Sequence, residues 1–467
     1  MFFHDLDKFA ENRAVIDRSG NIYTYADLVS CADRFGSKLS PGRRRLVFIL
    51  CRNNIESLAA YLGTLRSDNV AALLSADTDR QLLTNLVDFY RPDYIWTPAG
   101  DSGEVIYQYG DYAMVSCNIE REIEINPNLS LLLSTSGSTG SPKMVRLTAE
   151  NIEANAASIA EYLELDADER PITSLPMHYS FGLSVINSHL RVGACLLLTN
   201  DSIISRPFWN SFKELQATSF SGVPYTYEML RRMRFADMEL PSLCTMTQAG
   251  GKLAPAFAKE FVEMAQQRGI RFFIMYGQTE ATARISYLPL SENLTRYDSM
   301  GIAIPGGELF LIDGSNQRIE EPGVEGELVY RGPNVMMGYA IQEADLALGD
   351  ELGGVLCTGD IARFDKDGFF FITGRMKRFI KLFGNRVNLD EVEHLLKAEG
   401  YDVACGGKDD LLCVATTEPE SVTAIERLIA SKLGFHHSAY RVLAVDSILT
   451  NPSGKIQYTQ MFESELA

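Results

Sequence analysis

Apolar residues recur at helical spacing in some segments of the chain and form short unbroken runs in others. The helical spacing predicts helices within Ile22–Leu39, within Ile55–Leu65 and after Thr148, which can act as an N-cap. The short runs at Arg45–Leu50 and Arg271–Gly277 predict buried strands. Because helices and strands alternate, we predict an α/β fold with largely parallel sheets flanked by helices.

The second half of the chain differs from the first. The stretch from Gly306 to Thr373 is rich in predicted strands and glycines, and the residues after it contain strands and helices of their own. A chain of 467 residues is too long for one ordinary core. We therefore predict a large N-terminal domain over residues 1–374, including a strand-rich subdomain, and a small α+β C-terminal domain over residues 375–467.

Composition is typical of a soluble globular protein, with 46% apolar and 22% charged residues. The sequence has no apolar run long enough to cross a bilayer, so we expect no integral membrane segment. The first residues, MFFHDLDKFAENR, lack the apolar core of a signal peptide. Eight cysteines without CxxC pairs are typical of free thiols in a reducing compartment. We therefore expect a cytoplasmic location.

Acidic residues outnumber basic residues by 61 to 43, which gives a formal net charge of −18. This balance disfavours nucleic acid and anionic membranes as main partners, because phosphate backbones are bound through positive charge. One local exception is Arg375–Leu389, which contains several basic residues and no acid. On charge alone, this stretch is equally compatible with a solvated face and with a functional patch.

The segment Leu131–Lys143, LLLSTSGSTGSPK, joins an apolar strand to a loop of hydroxyls, glycines and one lysine. Such a loop can hold phosphates, because glycines allow a close approach, N–H and hydroxyl groups donate, and the lysine adds charge. It is not a Walker A loop, because residues 142 and 143 are Pro-Lys rather than Gly-Lys. A Ser/Gly linker is the alternative that composition leaves open.

The loop also resembles the phosphate loop of the adenylate-forming superfamily, which includes acyl-CoA synthetases, peptide-synthetase adenylation domains and firefly luciferases. Other segments resemble the remaining motifs of this superfamily in the same order: LPMHYSFGL (Leu175–Leu183), QAGGKL (Gln248–Leu253), YGQTE (Tyr276–Glu280), GELVYRGPNVMMGY (Gly326–Tyr339), TGD (Thr358–Asp360), GRMKRFIKLFGNRVNLDEVE (Gly374–Glu393) and NPSGKIQ (Asn451–Gln457). Each motif is weak alone, but a chance match of the ordered set is implausible.

The resemblance implies an ATP-dependent reaction in two halves. A carboxylic acid is adenylated with release of pyrophosphate, and a thiol of coenzyme A or of a carrier-protein phosphopantetheine then displaces AMP. The expected partners are therefore a small-molecule carboxylic acid, ATP, Mg²⁺, and coenzyme A or an acyl carrier protein. The resemblance also implies that the C-terminal domain is mobile, with a hinge near Lys377, and rotates between the two halves.

The resemblance assigns residues to the nucleotide and the metal. The β- and γ-phosphates are expected to contact Thr135, Ser136, Gly137, Ser138, Thr139, Gly140 and Lys143. The AMP moiety is expected to be lined by Gly251, Lys252, Tyr276, Gly277, Gln278 and Thr279. Asp360 is the expected acceptor of both ribose hydroxyls, and Arg375 is expected near the ribose and phosphate. Glu280 is the expected Mg²⁺ ligand, with Ser138 or Thr139 sharing that role.

The resemblance also assigns the chemical steps. Lys455 is expected to contact the carboxylate and the α-phosphate, where it offsets negative charge in the transition state. The residues expected to act in catalysis are thus Lys455, Glu280, Thr279 and Lys143. Gly384 is expected on the loop that lines the entry of the thiol, where a missing side chain leaves room for pantetheine.

The acid is expected to be lined by Tyr179, Phe181, Gly182, Val223 and Gly250. Amino-acid-activating members carry an Asp where the alignment places Gly182, and a buried α-ammonium without a counter-charge is costly. This favours a fatty, aryl or other small organic acid without an α-amino group. The alternatives are a stand-alone amino-acid adenylation enzyme that loads a carrier protein, and a non-catalytic nucleotide-binding relative.

Overall fold

A computed structural model describes residues 1–99, 104–118, 123–134, 143–382, 385–433, 435–450 and 456–466. The largest sheet in this part of the chain has eight strands, which are, in spatial order, Gly338–Ala340, Met144–Thr148, Leu129–Ser134, Val70–Ser75, Leu46–Cys51, Tyr94–Pro98, Tyr112–Ser116 and Glu104–Tyr109. The four strands from Leu129–Ser134 to Tyr94–Pro98 run parallel, and the outer strands join antiparallel. Within this sheet, the predicted parallel arrangement is formed by the four central strands.

A second sheet carries three successive parallel strands. Its five strands are, in spatial order, Ser219–Gly222, Thr245–Gln248, Arg271–Tyr276, Ser286–Tyr287 and Ile302–Ala303. The first three are parallel and the last two antiparallel. Since parallel strands end at the same edge of a sheet, the segments that follow Gly222, Gln248 and Tyr276 lie side by side.

The stretch predicted to be strand-rich forms an antiparallel sheet. Its strands are, in spatial order, Arg318–Ile319, Glu308–Ile312, Gly326–Arg331, Val355–Phe364 and Phe370–Arg375. A smaller sheet near the start of the chain contains Leu196–Leu197, Arg13–Ile16 and Ile22–Thr24.

The residues after Arg375 build sheets and a core of their own. An antiparallel pair contains Phe379–Leu382 and Asn385–Asn388, and a three-stranded sheet contains Val403–Lys408, Leu411–Thr416 and Tyr440–Ala444. Two hydrophobic clusters lie wholly within this region. This arrangement agrees with an α+β unit. The domain boundary at residues 374 and 375, the hinge and the mobility stay predictions.

Twelve α-helices occur in the described residues: Tyr25–Gly36, Ile55–Arg66, Arg80–Tyr90, Ala149–Tyr162, Ser180–Val192, Arg206–Glu214, Pro224–Arg232, Pro255–Gln267, Leu389–Ala398, Val422–Leu428, Tyr458–Met461 and Glu463–Leu466. Short 3₁₀ turns span Phe2–His4, Leu6–Phe9, Phe235–Asp237, Thr279–Ala281, Leu290–Glu292, Glu343–Ala347, Met376–Arg378, Pro419–Ser421 and His437–Ala439, and a π-turn spans Ile429–Leu433. None of the described helices is long and apolar enough to cross a membrane.

The predicted helix starts are confirmed at two threonines. The Thr24 side chain accepts from the backbone N–H of Asp27, whose carboxylate accepts in return from the Thr24 N–H. Thr148 and Asn151 form the same reciprocal pair at the next predicted start. These capping boxes satisfy N–H groups that the first turn of a helix leaves without partners.

Arg146 joins the edge strand Gly338–Ala340 to the rest of the large sheet. Its side chain is fully buried and donates to the carbonyls of Tyr339, Leu348 and Gly349 and to the carboxylate of Glu351. The guanidinium thus ties three carbonyls and one carboxylate to the strand Met144–Thr148. Tyr339 is fixed by this contact, and its side chain belongs to the site described below.

We expect Arg146→Met to lower the free energy of unfolding by about 3 kcal/mol or more, since one fully buried side chain that donates to three carbonyls and a carboxylate is removed. Denaturant titration measures this change. As a control, Arg331→Met removes an exposed ion pair with Glu308 and should cost less than about 1 kcal/mol. Equal losses in the two variants would contradict the bridging role of Arg146.

Candidate active site

The candidate site lies at the edge where the three parallel strands of the second sheet end. Val223 follows the first of these strands, Gly250 and Gly251 follow the second, and Gly277 follows the third. At Gly277, an added Cβ would lie 1.8 Å from the carbonyl oxygen of Ala283. Only glycine allows this tight turn, which carries the chain from Tyr276 into the 3₁₀ turn at Thr279.

Asp360 is the buried anion of the site. Its residue is 2% exposed, and its carboxylate accepts from the Tyr276 hydroxyl, from Gln278 Nε2 at 2.9 Å and from Arg375 Nε at 2.9 Å. The structure therefore brings together four of the residues predicted to contact AMP. Three of the roughly four acceptor positions of a carboxylate are used here.

The electrostatics of this cluster favour hydroxyl donation toward Asp360. Burial and the adjacent carboxylate raise the pKa of Tyr276 well above its usual value, so the phenol keeps its proton at neutral pH. The same carboxylate raises the pKa of Arg375. The Arg375 side chain is 60% exposed, so it is the partner that can leave most easily when a ligand hydroxyl approaches.

A second cluster contains Glu280, Tyr339 and Lys143. The Tyr339 hydroxyl donates to Glu280 Oε1 at 2.9 Å, and Lys143 Nζ lies 3.3 Å from the centroid of the Tyr339 ring. Burial and the Glu280 charge raise the pKa of Tyr339, which keeps the hydroxyl protonated as a donor. A carboxylate held by one donor retains lone pairs for a hard cation such as Mg²⁺. Glu280 therefore fits the predicted role of metal ligand.

No group of three or more potential metal ligands from His, Cys, Asp and Glu occurs among the residues that the structure describes. Mg²⁺ is commonly held by one or two carboxylates together with substrate phosphates. A single well-positioned carboxylate such as Glu280 fits that kind of site.

The residues predicted to line the acid lie beside the nucleotide cluster. A Cβ added at Gly250 would lie 2.7 Å from the Tyr179 hydroxyl oxygen and 3.0 Å from Val223 Cγ1. The Tyr179 and Phe181 rings have centroids 6.3 Å apart. Gly250, Tyr179, Val223 and Phe181 thus form one contiguous group, here called the acid wall, and its role in binding the acid stays a prediction.

A hydroxyl pair joins the residues predicted to contact the acid to those predicted to contact AMP. The Ser180 Oγ atom lies 3.0 Å from Thr279 Oγ1. Ser180 begins the helix that carries Phe181, and Thr279 follows Gln278. The two motifs, which are far apart in the sequence, therefore share one cleft.

The structure gives a different reason for Gly182 than the alignment did. A Cβ at this position would lie 2.2 Å from the carbonyl oxygen of Pro176, so the position faces the backbone of the preceding turn. Glycine is required here for packing. Its presence consequently carries no argument about the charge of the substrate, which corrects the sequence-based reasoning.

Lys252 has a partner outside the nucleotide cluster. Its Nζ donates to the carbonyl of Ile372 at 2.8 Å, on the strand that leads to Arg375. The carbonyl of Gly251 accepts from Gln248 Nε2 at 2.8 Å.

His178, which precedes Tyr179, is neutral at pH 7, because burial lowers its pKa to about 4.

Several predicted residues lie outside the described part of the chain, and their roles stay predictions. These residues are Thr135, Ser136, Gly137, Ser138, Thr139, Gly140, Gly384 and Lys455. The described residues on either side of the phosphate loop are Ser134, which ends a buried strand, and Lys143.

Sequence reasoning missed two residues of the site. Tyr339 ends a motif that was recognised, but its contact with Glu280 depends on the antiparallel pairing of its strand with Met144–Thr148. Arg284 lies four residues after Glu280 and is 2% exposed, with its guanidinium 3.9 Å from the centroid of the Phe181 ring. The signal that could have indicated Arg284 is a charged residue inside the otherwise uncharged run ATARIS.

Comparison with known proteins gives a family match over most of the chain. The family described as "AMP-binding enzyme" matches residues 2–340. The oxalate–CoA ligase of Arabidopsis thaliana is 26% identical over 494 residues, covering 96% of this chain and 95% of that protein. The 2-succinylbenzoate–CoA ligase of Bacillus pumilus is 30% identical over 294 residues, covering 62% of this chain and 58% of that protein.

Solved structures agree with the fold. The o-succinylbenzoate coenzyme A synthetase of Bacillus subtilis, in complex with its acyl-adenylate intermediate, has a TM-score of 0.79 at 21% identity, covering 98% of this chain and 97% of that chain. The same enzyme in complex with ATP and a magnesium ion has a TM-score of 0.78.

These comparisons confirm three predictions made from the sequence. They are the α/β fold, the adenylate-forming superfamily and the class of AMP-forming acid–thiol ligases. The chain belongs to the AMP-binding enzyme family.

Proposed function

We propose that this ligase adenylates a carboxylic acid without an α-amino group and transfers the acyl group to coenzyme A. The observation that carries the proposal is the buried Asp360 carboxylate with its donors Tyr276, Gln278 and Arg375, placed next to the acid wall. The reaction joins an anion to a polyanion, so its barrier is largely electrostatic. Positioning and fixed positive charge should therefore supply most of the catalysis.

In this proposal the Asp360 carboxylate accepts hydrogen bonds from the ribose hydroxyls of ATP. Tyr276 and Gln278 hold the carboxylate in place, while the exposed Arg375 gives up its contact and turns toward the ribose and phosphate. A ribose hydroxyl thus takes the place of Arg375 as a hydrogen-bond donor to Asp360. This exchange also brings a cation toward the phosphate as the nucleotide binds.

Glu280, with Ser138, would hold Mg²⁺, which neutralises charge on the phosphate oxygens when bound. The Tyr339 hydroxyl orients Glu280. Lys143 lies over the Tyr339 ring and adds positive charge at the end of the phosphate loop. The loop residues Thr135 to Gly140 complete the phosphate site in this proposal.

The acid lies against Tyr179, Phe181, Val223 and Gly250. The buried Arg284 next to Phe181 would repel an α-ammonium group, which disfavours an amino acid. This argument replaces the one based on Gly182 and supports the same conclusion.

Lys455 from the C-terminal domain completes the adenylation site in this proposal. After adenylation the domain turns about a hinge near Lys377, and the loop around Gly384 admits the thiol of coenzyme A. Acceleration of AMP release by coenzyme A, rather than by a phosphopantetheinylated carrier protein, tests the choice of acceptor.

All eight cysteines are free thiols, which supports a cytoplasmic location as part of the proposal.

Asp360→Asn should weaken binding of ATP and AMP by at least about tenfold, because an amide replaces one of the two oxygens that accept from the ribose hydroxyls and removes the negative charge. Titration calorimetry with AMP measures this loss. Asp365→Asn is the control, since Asp365 lies just beyond the same strand and pairs with Arg296. Unchanged AMP affinity in Asp360→Asn would remove Asp360 from the nucleotide site.

Glu280→Gln should raise the Mg²⁺ concentration needed for half-maximal pyrophosphate release by about tenfold or more, because the metal loses an anionic ligand. A Mg²⁺ titration at saturating ATP measures the shift. Glu320→Gln, at a site 80% exposed, serves as the control and should not move the curve. The same curve for wild type and Glu280→Gln would contradict the metal role.

Lys455→Ala should slow acid-dependent pyrophosphate release by about 100-fold or more, since the lost charge acts on the transition state. Thioester formation from a supplied acyl adenylate should fall far less, because the lysine serves the first half-reaction. Lys259→Ala removes an exposed lysine paired with Glu263 and is the control. Equal losses in both half-reactions would contradict a role confined to adenylation.

A further inference from the structure

Thr282 has a backbone conformation that is rare for its residue type. Its φ of 64° and ψ of −51° lie close to those of the strained form of the γ-turn. The Ala283 N–H donates to the carbonyl of Ala281 at 2.7 Å, which is the hydrogen bond that closes such a turn. A positive φ is an outlier for a β-branched residue. The conformation therefore persists only because neighbouring groups hold it.

The strained residue lies two positions after Glu280, the proposed ligand of Mg²⁺. The loop that carries Glu280 begins at Gly277, where an added Cβ would lie 1.8 Å from the carbonyl oxygen of Ala283. The loop ends where the N–H of Ile285 donates to the carbonyl of Tyr276 at 2.9 Å. Glu280 is thus part of a loop whose two ends are tied together.

Asn334 is the residue that holds the strained turn. It is 1% exposed, and its Nδ2 donates to the carbonyls of Ala281 at 2.8 Å and Arg284 at 2.9 Å, one on each side of Thr282. The carbonyl of Asn334 accepts from the Thr282 hydroxyl at 2.7 Å. Glycine would adopt a positive φ without strain, but it would lack this hydroxyl contact.

Asn334 is itself fixed by neighbours outside the loop. Its Oδ1 accepts from the Tyr330 hydroxyl at 2.7 Å, so the oxygen and the nitrogen of the side-chain amide both have partners. The N–H of Met336 donates to the carbonyl of Glu280 at 2.9 Å, and the Tyr339 hydroxyl donates to the Glu280 carboxylate. One segment of the chain thus holds the backbone of Glu280, the turn that follows it and its carboxylate.

We propose that Asn334 is a positioning residue for the metal site, because it holds Glu280 in place through the strained turn at Thr282. This inference rests on the proposed function, in which Glu280 binds Mg²⁺. A carboxylate that is already held in its binding orientation loses little conformational freedom when a cation binds. If the turn relaxed to a negative φ, the chain would leave the loop in a different direction, and Glu280 would lose its contact with the Tyr339 hydroxyl.

A residue that served the fold alone would change stability without changing the metal site, so the test measures metal-dependent binding. The probe is α,β-methylene-ATP, which cannot release pyrophosphate because carbon replaces the α–β bridging oxygen. Titration calorimetry gives its affinity with Mg²⁺ and with EDTA. The ratio of the two affinities should fall by about tenfold or more in Asn334→Ala, because partners that orient a metal ligand commonly contribute that much. The affinity for AMP without metal should stay at the wild-type value.

Thr282 provides a second pair of variants, which decides the matter even if Asn334→Ala does not fold. Thr282→Gly removes both the strain and the hydroxyl, so the fold should be retained while the metal-dependent ratio falls. Thr282→Ser keeps the hydroxyl and should restore most of the ratio. Asn293→Ala is the matched control, since Asn293 is also a buried amide and donates to the carbonyl of Phe272, outside the loop. A rise in melting temperature with AMP reports that each variant is folded.

The outcomes separate this inference from the proposed function. A wild-type ratio in folded Thr282→Gly or folded Asn334→Ala contradicts the inference alone, provided that Glu280→Gln lowers the ratio. An equal fall in Asn293→Ala also contradicts it, because the loss would then come from general destabilisation. An unchanged ratio in Glu280→Gln contradicts the metal role in the proposed function and this inference with it.

Discussion

The site depends on the hydrogen-bond donors that surround one buried carboxylate, Asp360. Removing Asp360 from water is costly unless donors surround it. The donors come from two segments: Tyr276 and Gln278 at the end of a parallel strand, and Arg375 from the antiparallel strand that pairs with the strand of Asp360. The second sheet and the strand-rich sheet must therefore be held in one relative position for these hydrogen bonds to Asp360 to form. In the proposed function, that position also defines where the nucleotide binds.

A buried charge of the opposite sign lies beside Phe181. Arg284 is as deeply buried as Asp360, yet no acidic residue in the described ranges pairs with it. The Asp360 carboxylate accepts from side chains of the protein, whereas the Arg284 guanidinium lies over the Phe181 ring and beside Tyr162 and Tyr179. In the proposed function, this cation disfavours acids that carry an α-ammonium group.

The sequence motifs were sufficient to group Asp360 with Tyr276 and Gly250 with Tyr179, because each motif contains residues whose chemistry suits its ligand. The contacts of Arg284 and Tyr339 could not be predicted in this way, since burial and facing partners depend on how separate strands pair. For the same reason the sequence did not indicate which outer strands join the parallel strands in the antiparallel direction. Gly182 shows the converse, because a residue interpreted through the substrate is required by backbone packing.

The most direct test of the central claim is the identity of the products made without a thiol. The purified protein, ATP, Mg²⁺ and a carboxylic acid that supports pyrophosphate release would be quenched after one turnover, and the products would be resolved by phosphorus NMR and mass spectrometry. The account predicts equal amounts of pyrophosphate and an acyl–AMP ester. When coenzyme A is added, the ester should be converted to AMP and an acyl-CoA thioester. ADP and inorganic phosphate as the products would contradict it.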